Sequence, residues 1–312
     1  MTIIQLEYVV AVDNYRHFAK AADACFVTQP TLSMQIQKLE DQLGVLLFDR
    51  SKHPVVPTEI GQRIIEQARK IISESKRVNE IIAEEKDEVE GELHVGIIPT
   101  LAPYLLPLFV NNFVEKYPDV QLHVKELITE QVLQKIHADV LDIGLIVTPS
   151  NDDSMLEKPI FYEEFMGYIG HRHPLYKKEE LNIDDVKYDD LWILNEGHCF
   201  RNQVLNICHP DPTQKLKKKF IYESGSLEAL RKIVNQHGGM TLLPELATID
   251  MNQNDKKKLR RFNDPKPIRE VSIVMKRAFL KRKMIEALYV TIIESIPVYI
   301  NSEKSGNVIS WK

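Results

Sequence analysis

Ala19-Lys20-Ala21-Ala22-Asp23-Ala24-Cys25-Phe26-Val27-Thr28-Gln29-Pro30-Thr31-Leu32-Ser33 is the stretch on which the reading of the chain turns. His17 to Ala24 reads as a short helix rich in small residues, which let a second helix approach closely. A tight turn at Phe26-Val27 follows. Thr28 then caps a new helix and Pro30 suits its first turn, where a missing N–H costs nothing. Ile36, Leu39 and Leu43 give that helix an apolar face and Gly44 stops it. Upstream, Ile4, Leu6, Val9, Val10 and Val12 mark another helix. Downstream, Leu46, Leu47 and Phe48 are expected to pack back. Arg50 to Pro57, punctuated by Pro54 and Pro57, has the length of a β-wing.

Two short helices joined by a tight turn make a helix-turn-helix. In that motif the second helix enters the DNA major groove with its N-terminal residues at the base edges. The candidates for DNA contact are Thr28, Gln29, Pro30, Thr31, Ser33 and Gln35 on the helix, with Arg50 and Lys52 in the wing for phosphate or minor-groove contacts. Charge gives this reading no help. The chain carries a net charge of −5, and residues 1–58 hold five Lys/Arg against six Asp/Glu. A plain helical bundle with a polar face is the competing reading of this segment.

Thr58 opens a long amphipathic helix. Ile64, Ala68, Ile71, Ser75, Val78 and Ile82 step by fours and threes, a heptad seam that Ile65, Ile72 and Ile81 widen. About thirty residues at ~1.5 Å each span roughly 45 Å, which suits a two-stranded dimer interface. Glu84 to Glu92 reads as a charged exit and hinge. From Glu92 onward strands and helices alternate: strands 93–98, 120–126, 141–147, 165–170, 191–194, 219–222, 240–242 and 271–275, with helices 101–117, 131–138, 227–236 and 281–295 between them. Two α/β lobes with a cleft fit this pattern, and in such folds ligands gather beyond the carboxyl ends of the strands. Thr100, Thr129 and Cys199 each follow a strand and are expected to face that cleft. For the threonines, capping the next helix is the alternative.

Three cysteines, no secretory signal and no run of roughly 18 apolar residues point to a reducing cytoplasm, where a disulfide is more often transient than structural. No metal, P-loop or cofactor motif is present, so no cofactor or metal is expected. Cys199 lies between His198 and Arg201 and opens a short helix, features that stabilise a thiolate. Cys208 lies nine positions on. Along a helix their Cα atoms sit ~13 Å apart, against the 4.4–6.8 Å or so a disulfide needs. The pair can join only if the segment rearranges. Two inert, buried thiols are the bland alternative. Cys25 reads as a buried helix-packing residue.

The motif Ala19-x-Ala21-Ala22 through Thr28-Gln29-Pro30-Thr31-Leu32-Ser33-x-Gln35-Ile36-x-x-Leu39-Glu40 to Leu43-Gly44 and Leu47-Phe48-x-Arg50 closely resembles the DNA-binding signature of LysR-type transcriptional regulators. Within that family three runs resemble the OxyR-type peroxide sensors. They are His198-Cys199-Phe200-Arg201-Asn202-Gln203 with Cys208, Ile98-Pro99-Thr100 with Pro103-Tyr104-Leu105-Leu106-Pro107, and Gly239-Met240-Thr241-Leu242-Leu243-Pro244.

The resemblance implies a fold with four parts. These are a winged helix-turn-helix domain over 1–58, a dimerisation helix and hinge over 59–90, a two-lobed redox-sensing domain of Rossmann-like, periplasmic-binding-protein-like subdomains over 91–300, and a flexible tail over 301–312. It also implies a mechanism. Cys199 attacks hydrogen peroxide and becomes a sulfenic acid, which condenses with Cys208. Thr100, Thr129, His198 and Arg201 bind or activate the peroxide. Thiol reductants reset the switch. The implied partners are promoter DNA, hydrogen peroxide, further copies in a homodimer or homotetramer, and RNA polymerase, with no membrane. The implied role is an activator of oxidative-stress genes and not an enzyme.

The segment after Cys208, His209-Pro210-Asp211-Pro212 to Lys219, departs from that pattern in its length and its lysine content. Three other functions compete: a LysR-type regulator answering a small metabolite, a thiol peroxidase, and a solute-binding protein. The first predicts activity in Cys199→Ser, the second steady-state peroxide turnover. The third conflicts with the N-terminal head.

Overall fold

The computed structural model of the chain describes residues 1–86, 89–208, 222, 224–277, 281–300 and 306–311, with the side chains of its longest helix at 59–72, 74, 75 and 78. The chain divides into two units, Met1–Glu88 and Val89–Lys312.

The first unit is α1 (Ile3–Tyr15), α2 (Phe18–Ala24), α3 (Gln29–Leu43), the two-residue strands β1 (Phe48–Asp49) and β2 (Val56–Pro57), and α4 (Glu59–Lys86). Side chains set the helix starts. Thr2 and Gln5 form a capping box on α1, and Thr28 Oγ1 accepts from the Thr31 N–H at the start of α3. Gly44 ends α3 at φ +70°, a left-handed conformation that glycine adopts without strain. The core is Leu6, Val9, Val12, Ala21, Ala22, Leu32, Ile36, Leu39, Leu47 and Phe48. Ile4, Leu43 and Leu46 were expected in it and are not: they are 57%, 38% and 65% exposed. Leu46 turns outward because its carbonyl accepts the Thr58 hydroxyl at 2.7 Å, which fixes the loop with Leu47 and Phe48 inward. At Gly61 a Cβ would meet the Leu47 carbonyl oxygen at 2.0 Å, so α4 enters this close only through glycine.

The seam of α4 is shared between two uses. Ile65 and Ala68 are buried, and Ile64, Ile71 and Ile72 half-buried, all against the core of their own unit. Arg69, at 2.7 Å from Asp13, ties α4 to α1. Val78 is 59% exposed. The first four turns therefore complete the head, and Val78, farther along the seam, faces outward. The side chains of Ile81 and Ile82 lie outside the described residues.

The second unit continues with β3 (Gly91–Ile97), α5 (Ala102–Lys116), β4 (Val120–Glu126), α6 (Thr129–His137), β5 (Ile143–Thr148), β6 (Met155–Ile169), β7 (Glu180–Leu181), α7 (Cys199–Cys208), α8 (Leu227–His237), β8 (Met240–Pro244), α9 (Gln253–Lys256), β9 (Leu259–Phe262), β10 (Pro267–Lys276), α10 (Arg282–Ser295) and β11 (Asn307–Val308). The strand order is β4-β3-β5-β10-β6-β9-β7, with β8 on β6 and β11 on β10. Parallel pairing joins β4, β3 and β5 through the crossover helices α5 and α6, whereas β10 runs antiparallel to both β5 and β6.

Two cores result. One lies around β3, β5, β10, α5 and α10, the other around Tyr168, Leu230, Val234, Met240 and Leu242. The 15-residue β6 belongs to both: 155–164 pair with β10, and 165–169 pair with β8. The strand expected over 165–170 is the second half of this longer one. Leu191 to Leu194 forms only two isolated bridges, to Met240 and Ser224, instead of a strand. Of the strand expected over 219–222, only Tyr222 is described, and it lies outside any strand. The lysine-rich segment after Cys208 likewise lies outside the described residues.

The tail departs most from expectation. Residues 306–311, expected to be flexible, are packed. β11 pairs with β10 in parallel, and Ile309 and Trp311 are buried. The polar composition of the tail misleads because its backbone pairs with β10 and its two apolar side chains, Ile309 and Trp311, reach the cores.

Candidate functional site

Cys199 is the first residue of α7 and is 4% exposed. It packs into the first core, while the next residue, Phe200, packs into the second and stacks on Phe165 at 5.3 Å. The start of α7 therefore sits where the two lobes meet. Burial pushes the Cys199 thiol above its ordinary pKa. The Thr129 hydroxyl, the charge of Arg269 and the backbone N–H groups at the helix start pull the other way. The flanking residues do not supply the positive charge expected of them. His198 is held below the usual imidazole range by burial, against the opposing pull of Glu126, so it is a neutral base and not a cation at neutral pH. Arg201 donates to the Leu194 carbonyl at 3.1 Å and anchors the loop.

The cation that acts on the thiol is Arg269, from the middle of the sheet on β10. It is fully buried, and its Nε and Nη2 lie 2.8 and 2.7 Å from Glu163 Oε1 on β6. Glu163 also accepts the Leu246 N–H at 2.8 Å, so this buried pair is well satisfied. The other face of the guanidinium reaches Thr100, with Nη1 to Oγ1 and Nη2 to the carbonyl, both 3.1 Å. Its carbon stands 5.3 Å from the Phe200 ring centroid. The sequence does not mark Arg269 because it stands two residues before the strand expected over 271–275, which in fact begins at Pro267, and nothing local says that an arginine there is buried.

Thr129 begins α6 and is 2% exposed. Its hydroxyl stands against the Cys199 sulfur, which it favours as thiolate, yet has no well-formed hydrogen bond. A buried hydroxyl without a partner is rare in native proteins. Cys199, Thr129, Thr100 and Arg269 thus form one buried group with unspent hydrogen-bonding capacity, suited to a small polar molecule that both donates and accepts.

Cys208 ends α7, half-buried. Burial pushes its thiol up to about 11, and its S–H donates to the Leu205 carbonyl at 3.7 Å. All three cysteines are free thiols. Cys25 is half-buried after α2, and burial raises its pKa too. Along α7, Asn202, Gln203 and Asn206 donate to the carbonyls of Trp311, Ile309 and Ser310 at 3.0, 2.7 and 2.8 Å. The C-terminal segment is thereby strapped onto the helix between the two cysteines.

In the first unit, Thr28, Gln29, Pro30 and Lys52 are exposed, and Thr31 and Ser33 half-buried. The Thr28 and Thr31 hydroxyls pair at 2.8 Å. Two candidates also carry internal contacts. Gln35 is donated to by Gln5 at 3.3 Å. Exposed Arg50 is paired with buried Glu40 at 2.8 Å and donates to Ser33 at 3.4 Å. Glu40 accepts the Leu47 N–H as well, at 2.7 Å, and so braces the wing on α3. Among the described residues no helix is long and apolar enough to cross a membrane.

Residues 3–62 match the model of the bacterial regulatory helix-turn-helix protein, lysR family, and residues 86–295 match the LysR substrate binding domain. The "Hydrogen peroxide-inducible genes activator" of Haemophilus influenzae is 36% identical over 88% of this chain and 90% of its own length. The "DNA-binding transcriptional dual regulator OxyR" of Escherichia coli is 34% identical over 92% and 93%. Among solved structures, a full-length OxyR variant from Pseudomonas aeruginosa superposes with a TM-score of 0.79 at 34% identity, covering 95% of this chain and 99% of that one. An H2O2-bound OxyR variant from Corynebacterium glutamicum does so with a TM-score of 0.61 at 26% identity, covering 94% and 92%. The chain belongs to the LysR family of bacterial transcriptional regulators, DNA-binding proteins and not enzymes, and within that family to the OxyR group.

Proposed function

We propose that this chain is a peroxide-responsive transcriptional activator of oxidative-stress genes, acting in the cytoplasm, with Cys199 as its sensing thiol. The observation that carries the reading is the buried Cys199 against the Thr129 hydroxyl, which makes no well-formed hydrogen bond, and beside the Arg269–Thr100 pair. Hydrogen peroxide is small enough for such a site and matches its donors and acceptors. Thr129 and Thr100 orient it. Arg269 stabilises negative charge developing on sulfur and on the departing oxygen. His198, neutral at neutral pH, is the group that accepts the thiol proton.

The sulfur attacks one peroxide oxygen and the O–O bond breaks. The distal oxygen leaves with the proton as water and Cys199 becomes a sulfenic acid. Its sulfur is then attacked by the Cys208 sulfur, releasing a second water and forming a disulfide. In the helical α7 the two Cα atoms stand ~13 Å apart, beyond disulfide reach, so the helix must unwind first. Two equivalents of a cellular thiol reductant restore both thiols.

The output is on DNA. Thr28, Gln29, Pro30, Thr31, Ser33 and Gln35 face the major groove, and Arg50 and Lys52 face phosphate or minor groove. The outer part of α4 pairs two copies, in a dimer or a tetramer, so that two heads meet a pseudo-palindromic operator. RNA polymerase is the partner through which activation is exerted.

Footprinting on a promoter that the protein binds tests the whole chain of events. Peroxide should change the protected region for wild type and leave Cys199→Ser unchanged. An identical change in Cys199→Ser would overturn the reading.

A further inference from the structure

On the outer strands of the second unit, β3 and β4 bring together three side chains that the peroxide site does not use. Glu92 and His94 are two apart on β3 and so share one face of the sheet. His123, on β4, is the direct cross-strand partner of His94. The two imidazole rings stack at 4.6 Å with 17° between their planes, and Glu92 Oε2 lies 3.2 Å from His94 Nε2. One ligand atom from each of the three residues falls within 4.8 Å of the other two. His123 Nε2 is closed off from solvent yet has no hydrogen-bond partner, an unusual condition for a polar atom.

We propose that Glu92, His94 and His123 form a binding site for a divalent transition-metal ion of the Zn²⁺ class. Two imidazole nitrogens and one carboxylate oxygen are a donor set that this class prefers. Because the rings stack nearly parallel, each must turn out of the stack before both nitrogens point at one ion at the ~2.0–2.2 Å such an ion requires. The ion supplies the partner that His123 Nε2 lacks, and a fourth position stays open to water. The register of β4 on β3 fixes the two histidines side by side before any ion binds.

One neighbouring cation bears on the site. Lys281 Nζ donates to the Glu92 carbonyl at 2.7 Å, but it is also paired with Asp142 at 2.7 Å, which offsets its charge. The sequence gives no sign of the site, because Glu-x-His and a single histidine 29 positions later make no metal motif until β4 pairs with β3 in this register.

The test is titration of the untagged, fully reduced, full-length chain with Zn²⁺ against a chromogenic chelator, with Co²⁺ as spectroscopic substitute. The proposal expects one equivalent bound, with visible d–d bands and no intense thiolate-to-metal charge-transfer band. His94→Gln and His123→Gln should each weaken binding by about 100-fold or more, exceeding the usual loss from an outer-shell change. Exposed Glu92→Gln, which leaves the fold undisturbed, should weaken it in the same direction. Cys25→Ser and Cys208→Ser should change nothing. Binding weaker than about 100 μM, binding indifferent to the two histidines, or a thiolate band lost in a cysteine variant would each overturn it.

Discussion

Arg269 grips Thr100 at two points: Nη1 donates to the threonine hydroxyl and Nη2 to its carbonyl, each at 3.1 Å. The contact ties β10 to the turn between β3 and α5, and Glu163 holds the guanidinium from the other side at 2.7 Å. A planar fork is needed to make both contacts and a lysine cannot make them. Arg269→Lys should slow oxidation of Cys199 by about 10²-fold, the scale of losing one preorganised donor, read by stopped flow under peroxide excess. Arg269→Ala leaves Glu163 buried without its cation and should cost about 3–5 kcal/mol in urea unfolding.

Thr129→Val separates function from stability. The hydroxyl has no well-formed hydrogen bond to lose, so thermal stability should hold or rise slightly. If the hydroxyl orients peroxide, the oxidation rate should fall by roughly 10–100-fold. Parallel melting curves and stopped-flow traces check both halves.

Burial holds Cys199 protonated above the pH at which a free thiol ionises. With neutral His198 taking the proton internally, the oxidation rate should vary little between roughly pH 7 and 8, and in His198→Gln it should instead rise about tenfold per pH unit as free thiolate forms. The linkage sign follows from the raised pKa. The unfolded chain releases this proton first, near pH 8.5 or so, so the stabilisation is complete below that value and is lost as pH climbs toward the folded pKa. Oxidation rates from roughly pH 7 to 8, and urea midpoints from about pH 8 upward, test the two statements.

The strap of 306–311 along α7 makes a prediction about coupling. Unwinding the helix removes the donors Asn202, Gln203 and Asn206 from the carbonyls they hold. Oxidation should raise hydrogen exchange in 306–311 together with that in α7. Deletion of 306–312 should speed the step from sulfenic acid to disulfide by several-fold without changing the first oxidation. Rapid-quench mass spectrometry distinguishes the two steps.

Much of the architecture was legible in the sequence because it is local. Thr28, Pro30 and Gly44 punctuate α3, and the five crossover elements from β3 to β5 follow their apolar periods. What escaped depends on distant pairing. Leu46 turns outward because of Thr58. The α4 seam is half absorbed by α1. A polar tail docks through its carbonyls. The site divides in the same way. Cys199, Cys208, Thr100 and Thr129 stand out by residue type and position, whereas Arg269 and its partner Glu163 are brought to the thiol only by the register of β10 on β6. His198 and Arg201 looked like the activating charges because they are neighbours in sequence. Burial of the first and the Leu194 carbonyl beside the second give them other roles.

The central claim is that Cys199 is oxidised first and Cys208 resolves it. Intact mass of the alkylated protein, before and after one equivalent of hydrogen peroxide, tests this directly in wild type and in Cys208→Ser. Wild type should lose two hydrogens and two alkylation sites, and Cys208→Ser should hold one added oxygen that a sulfenic-acid trap captures at Cys199. An unchanged mass in wild type, or oxidation that persists in Cys199→Ser, would contradict the account.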